Sequence, residues 1–233
     1  MIHTPFITSL VEKIEEKPLL KHPFYQLWAK GALPIEVLRA YAEQYYHLEK
    51  AFPTFLSRMH ADCGEFAVRQ AITDNLYDEE HGIENHRELW LRFGEAIGTT
   101  REVIQNSDLL PETRETIETF HKLAGSSFLE GTAALAAYES QIPAVAETKL
   151  QGLKEYYGIT DIRGTAFFRV HSTLDKEHSE VWWNVIDKYA TSRTLKIAVE
   201  KTVTEARDAL FKFLDGICRV YLPTCLTQLA TDR

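Results

Sequence analysis

Proline placement constrains this chain more than any other feature. Its eight prolines leave two long stretches, Thr54 to Leu110 and Ala144 to Leu222, free of the residue that most strongly breaks helices. Both stretches carry apolar residues at steps of three and four, the spacing of one buried helix face. The pattern predicts a short helix after Thr4-Pro5 and a second from Pro23 to Lys30, stopped by Gly31. A longer helix runs from Pro34 to about Glu49, with Pro53 bending or ending it before Phe55 to Ala61. Further helices are expected at 65–80, 84–97, 111–123, 126–157 with Pro143 inside, 164–190 and 193–221. No segment alternates apolar and polar residues between turn dipeptides, so strands are not expected. The fold class is all-α: six or more helices in a bundle, whose centre is a natural place for a metal or substrate.

Length and charge narrow the function classes. A chain of 233 residues suffices for one full core, read as a single domain over 1–233 that stands alone or forms a simple oligomer such as a homodimer. The net charge of −8 leaves no global positive field for a phosphate backbone or an anionic lipid surface, so neither nucleic acid nor membrane is an expected partner. No apolar run approaches the roughly 20 residues of a membrane span, and the amino terminus lacks a basic segment followed by an apolar one. Cys63, Cys218 and Cys225 cannot all pair within the chain and have no metal or redox spacing, which fits a reducing cytoplasm.

Function emerges from the ionisable groups that fall inside the apolar stripes. Around position 80, Ile72, Leu76, Glu79, Ile83, His86 and Trp90 follow steps of four and three, which puts Glu79 and His86 within roughly 20° of each other on an ideal helix. In the segment from Ser126, Glu139 lies in Ala133-Ala134-Leu135-Ala136-Ala137-Tyr138-Glu139, too apolar and small to be a solvated surface. A buried carboxylate there must be neutralised, hydrogen-bonded or metal-bound. A third stripe, Phe167, Phe168, His171, Asp175, His178 and Trp182, places two imidazoles and a carboxylate at i, i+4 and i+7, a chelating arrangement for a divalent metal. Any one of these groups alone is more often a buried ion pair or a core histidine. Together they offer three carboxylates and three imidazoles without a thiolate, enough for two ions with positions left for O2 or substrate. That donor set favours iron or manganese over structural zinc.

Lys149 is a separate anomaly. Its neighbours one turn away, Val145, Ala146, Gly152 and Leu153, run its stem along apolar surface. Burial would disfavour the charged form and make the amine a better nucleophile or nitrogen donor; a lysine snorkelling at the stripe's edge is the equally available structural reading. On an ideal helix it stands about 80° and about 15 Å from Glu139, so spacing alone does not bring it to a metal. Tyr41 and Tyr45 share an inner stripe with Val37, Leu38, Leu48 and Phe52, and Tyr25 sits in His22-Pro23-Phe24-Tyr25-Gln26-Leu27-Trp28. Packing is the default for these phenols.

Several runs resemble one family. His22-Pro23-Phe24-Tyr25, Tyr45-Tyr46-His47, Lys50-Ala51-Phe52-Pro53, Asp74-Asn75-Leu76 with Asp78-Glu79-Glu80, and Tyr138-Glu139-Ser140-Gln141-Ile142-Pro143 are similar to the CADD family, the chlamydia protein associating with death domains. Glu79-x6-His86, Glu139 and His171-x3-Asp175-x2-His178 look like the ligand set of the haem-oxygenase-like dimetal oxidases to which it belongs. The resemblance implies a seven-helix haem-oxygenase-like bundle, a di-iron or mixed manganese and iron centre, and O2-dependent formation of 4-aminobenzoate for folate synthesis, with a reductant. It implies a self-sacrificing synthase in which Tyr25 supplies the ring, Tyr41 is needed nearby and Lys149 donates the amino group. The alternatives are a PqqC-like or TenA-like cofactor-biosynthesis enzyme without a dimetal centre, or an interaction module that binds death domains. TenA-type hydrolases need a cysteine nucleophile in the middle of the Glu139 helix, where this chain has none.

Overall fold

The computed structural model describes residues 3–172 and 174–222, and every regular element among them is helical. Cys225 and the rest of the segment after Pro223 lie outside the described residues. Thr4 caps α1 (Pro5–Glu15), with Pro5 in its first turn. A 3-10 turn over Leu19–Lys21 leads into α2 (Pro23–Trp28), where Nδ1 of His22 accepts the Phe24 N–H at 3.0 Å. α3 (Ile35–Asp62) runs through Pro53 instead of ending there. Pro53 lacks the N–H that would reach the Glu49 carbonyl, so one rung is lost. Burial of Phe55, Leu56 and Met59 beyond it holds the helix together.

α4 (Phe66–Glu80) and α5 (His86–Ala96) are parted by a turn in which Gly82 adopts φ +79°, a conformation that side chains with a Cβ rarely take. The stripe expected from Ile72 to Trp90 is therefore interrupted, and Ile83 is 86% exposed rather than buried. α6 (Arg101–Asn106) was not expected, because six residues are too few to display a period. α7 (Pro111–Ala124) follows. The segment expected as one helix over 126–157 is two, α8 (Phe128–Glu139) and α9 (Ile142–Tyr156), with Pro143 in the first turn of α9 where its missing N–H costs nothing. Likewise 164–190 divides into α10 (Ile162–His171) and α11 (Leu174–Tyr189), and α12 (Arg193–Tyr221) completes the described chain.

α8 is the axis of the bundle, with α3, α7, α11 and α12 packed around it. Ten of its twelve residues are buried, the mark of a helix enclosed on every side. Ser127 starts it by accepting the Glu130 N–H at 3.2 Å, and its last residue, Glu139, is thereby delivered to the interior. α9 comes close to α2 where Gly152 meets the Trp28 ring, and a Cβ there would lie 2.7 Å from Trp28 Cδ1. No helix among the described residues is long and apolar enough to cross a membrane.

Candidate metal centre

The helix ends just described converge on one place. Glu79 is the next-to-last residue of α4 and His86 the first of α5, so the turn at Gly82, not a shared helix face, brings them together. Nδ1 of His86 lies 3.0 Å from Glu79 Oε1, without the alignment of a hydrogen bond. His171 ends α10, and its Nδ1 donates to the Phe167 carbonyl at 2.8 Å, which leaves Nε2 as the acceptor nitrogen. The break after α10 corrects the expectation of one continuous chelating helix. His171 joins Glu79 and His86, whereas Asp175 and His178 on α11 join Glu139. Each group holds one ligand atom per residue, all within 4.8 Å of one another.

Supporting contacts fix the second group. Glu139 accepts from Trp182 Nε1 at 2.8 Å and from Asn75 Nδ2 at 3.1 Å. Nε2 of His178 lies 3.2 Å from Asp78, and its Nδ1 is 4.0 Å from both Glu139 and Asp175. A carboxylate behind an imidazole orients the ring and raises its basicity as a ligand. Asp78 is partly exposed, but its carboxylate turns to His178.

The first group contains a residue that sequence reasoning missed. Glu49 on α3 is 5% exposed and clusters with Glu79, His86 and His171. The signal was present, since Glu49 follows Tyr41 and Tyr45 at steps of four, but the stripe was read as aliphatic and aromatic only.

The electrostatics of the cluster show what chemistry its residues fit. Burial pushes the Glu79 and Glu139 carboxyls up to about 8, and drives Glu49 and Asp175 well above the usual carboxylate range. Burial also lowers His86, and takes His171 well below the ordinary imidazole value. Glu49 Oε1, Glu79 Oε2, His86 Nδ1 and Asp175 Oδ2 are buried without hydrogen-bond partners. Four orphaned polar atoms in one buried cluster would be costly, and divalent cations satisfy such atoms and favour ionised carboxylates and neutral imidazoles. The residues present therefore fit a metal pair of oxygen and nitrogen ligation.

Beside this cavity lies a second buried cluster. Lys149 Nζ donates to Tyr41 OH at 2.5 Å, and Tyr41 OH lies 3.4 Å from Tyr25 OH. The amine sits 4.7 to 5.7 Å from the ring centroids of Tyr25, Tyr41, Tyr45, Trp90 and Phe168. Lys149 is thus enclosed, not snorkelling, and burial brings its pKa down to about 7. The break between α8 and α9 removes the ideal-helix geometry that kept it from the site. Tyr45 joins the two clusters: its ring packs beneath the amine, while its hydroxyl bonds Tyr138 at 2.5 Å on the wall of the metal cavity.

Residues 39–210 match the family described as iron-containing redox enzymes. The chain belongs to this family, and it is an oxidoreductase. It is 40% identical over 228 residues to the 4-aminobenzoate synthase of Nitrosomonas europaea, covering 94% of this chain and 93% of that one. It is 38% identical to the 4-aminobenzoate synthase of Chlamydia pneumoniae, with 91% and 95% covered. A pyrroloquinoline-quinone synthase of Acinetobacter baumannii is more distant, at 24% identity with 86% and 81% covered. Among solved structures, a TenA homologue from Pseudomonas syringae superposes with TM-score 0.82 at 16% identity, with 94% of each chain covered. A protein from Shewanella denitrificans described as having a heme oxygenase-like fold gives 0.74 at 15% identity, with 93% and 90% covered. The family fold is thus haem-oxygenase-like and all-α, built here from more helical segments than the seven expected.

Proposed function

We propose that this chain makes 4-aminobenzoate in an O2-dependent reaction, with Tyr25 as the source of the ring and Lys149 as the amino donor. One observation carries the reading: a buried amine hydrogen-bonded to Tyr41 and 5.4 Å from the Tyr25 ring, in a cage that adjoins the carboxylate and histidine cavity. The synthases of Nitrosomonas europaea and Chlamydia pneumoniae are relatives over almost the whole chain, which supports the same product.

Glu79, His86, Glu139, His171, Asp175 and His178 would hold two ions, Fe/Fe or Mn/Fe, and when bound with a reductant at hand these supply the redox chemistry with O2. The protein's own residues do the rest. Burial brings the Lys149 amine down to about 7, so near neutral pH a large share of it is unprotonated and its lone pair is available to an electrophilic ring. Burial also raises the Tyr25 and Tyr41 phenols above their ordinary values, so each keeps its proton until it is oxidised. Tyr41 accepts from the amine and faces the Tyr25 hydroxyl, which holds donor and ring in one register. Phe24, Trp28, Trp90 and Phe168, all buried, exclude water. A protein consumed in this way turns over about once.

A PqqC-like reading without metal would leave four buried donor atoms unsatisfied, and neither Cys63 nor Cys218 lines the cavity as a TenA-like nucleophile would. Rescue of a 4-aminobenzoate auxotroph tests the proposal. The wild-type chain should rescue growth, while Tyr25→Phe and Lys149→Arg should not. Rescue that survives Tyr25→Phe refutes sacrifice at that residue, and death-domain binding without rescue replaces the reading with an interaction role.

A further inference from the structure

Glu49 has no place in the six-residue ligand set, yet its position is hard to explain otherwise. It projects from the middle of α3, is 5% exposed, and shares a 4.8 Å cluster with Glu79, His86 and His171. One of its carboxylate oxygens, Oε1, is buried without a partner, as are Glu79 Oε2 and His86 Nδ1 in the same cluster. An ordinary core carboxylate would be expected to find an arginine, a lysine or backbone N–H groups.

We propose that Glu49 is a seventh protein ligand and that it makes the two metal positions unequal: Glu49, Glu79, His86 and His171 hold the tighter ion, and Glu139, Asp175 and His178 the weaker. The inference rests on the reading of the cavity as a dimetal centre, and is independent of the product made there. Three features support the inequality. The first group offers four protein ligands and the second three. All four of the first group are buried, whereas His178 in the second is partly exposed, so water competes more readily at the second. Glu139 already accepts two hydrogen bonds, from Asn75 and Trp182, which draw on the same lone pairs that would bind a metal.

The route to the site agrees with the order. Glu49 and Glu79 line the inner cavity and also an outer pocket of about 280 Å³ bounded by Lys50, Glu80, Asn85 and Arg87. An ion arriving through that pocket meets the first group before the second. Pro53 lines the same pocket, one turn beyond Glu49 on the same helix.

Titration of the metal-free full-length chain with Mn(II), followed by the loss of the free-ion EPR signal, reads both positions. The wild type should take up two equivalents in two resolved steps. Glu49→Gln should weaken the tighter step at least tenfold and alter the EPR line shape of the first bound ion, while Glu139→Gln should weaken only the second step. Thermal melts of the metal-free proteins check folding, and Glu49→Gln should melt no lower than wild type because it removes a buried ionisable group. If Glu49 only shares a proton with Glu79, the glutamine serves equally well. Both affinities in Glu49→Gln would then stay within twofold of wild type, and that result overturns the proposal. Two wild-type steps of equal affinity also overturn it. A wild-type chain that binds no Mn(II) and no Fe(II) overturns both this inference and the dimetal reading, whereas failed auxotroph rescue with two unequal steps would leave this inference standing.

Discussion

Two polar clusters are buried side by side in this bundle, and they are satisfied in opposite ways. In the carboxylate and histidine cavity, four donor atoms have no partner within the protein. In the cage around Lys149, the amine bonds Tyr41 and Tyr41 meets Tyr25, with aromatic faces on the remaining sides. The first cluster is incomplete without something positive from outside; the second is closed on itself. The difference teaches which interior polarity is a binding site and which is a reagent kept ready, because an orphaned buried atom is expensive and a paired one is not.

The largest effect should follow from filling the open cluster. Metal at a thousandfold excess over its Kd stabilises a folded chain by about 4 kcal/mol. For a chain of this size that is roughly 10 °C in the melting midpoint, at about 2–4 °C per kcal/mol. Fe(II) or Mn(II) added to the metal-free protein should give a gain of that order, and Asp175→Ala should lose the part of it that the weaker ion contributes. An equal gain in Asp175→Ala would remove that residue from the ligands and break the comparison. No metal-dependent gain is expected from the closed cluster, so Lys149→Met should keep the full metal-induced shift while abolishing product.

A smaller effect separates the clusters by pH. Glu79 is raised from 4.5 to about 8 in the folded chain, so between those values the folded state holds more protons than the unfolded one. Its contribution to metal-free stability therefore falls as pH rises from about 4.5 to 8. Lys149 is lowered from 10.5 to about 7, so the unfolded state holds more protons between those values and stability rises with pH across that window. At about 1.4 kcal/mol per unit, each penalty amounts to a few kcal/mol. Melting midpoints of the metal-free chain should sag from pH 5 towards neutrality and recover above pH 8. Glu79→Gln should lessen the fall, which Glu49, Glu139 and Asp175 share. Lys149→Met should flatten the recovery and stabilise the chain at pH 6 by a few kcal/mol, less what the loss of the partner of Tyr41 costs. A recovery that persists in Lys149→Met would show that the amine is not the group responsible.

These clusters were legible in the sequence to different depths. The all-α class followed from proline spacing and periodicity, because long apolar stripes survive whatever the bundle does with them. Glu139 stood out because its surroundings are so apolar, and that inference needed no knowledge of its partners. Geometry across helix ends was not legible. Glu79 and His86 were placed together for the wrong reason, since ideal-helix angles run through a turn at Gly82 that breaks the helix. The same assumption kept Lys149 away from the site and joined His171 to Asp175 and His178 on one helix. Periodicity describes a face within an element, while these sites are built from the ends of several. Glu49 was visible by the rule that found Glu79, but a lone carboxylate in an aromatic stripe carries no partner in its own neighbourhood.

The smallest test concerns the pair that lies between the clusters. Tyr45 and Tyr138 bond through their hydroxyls at 2.5 Å, and both line the metal cavity. If this pair is closed on itself like the lysine cage, each hydroxyl exists mainly to satisfy the other. Tyr45→Phe or Tyr138→Phe alone would then leave one buried hydroxyl unpaired and cost about 1–2 kcal/mol, while the double variant would cost little more than either single one. A double-mutant cycle by denaturant unfolding of the metal-free chain should give a coupling of about 1 kcal/mol. Additive single costs would mean that each hydroxyl has its own partner on the metal side. The pair would then belong with the open cluster, and the boundary between the two would run through the Tyr45 ring instead of behind it.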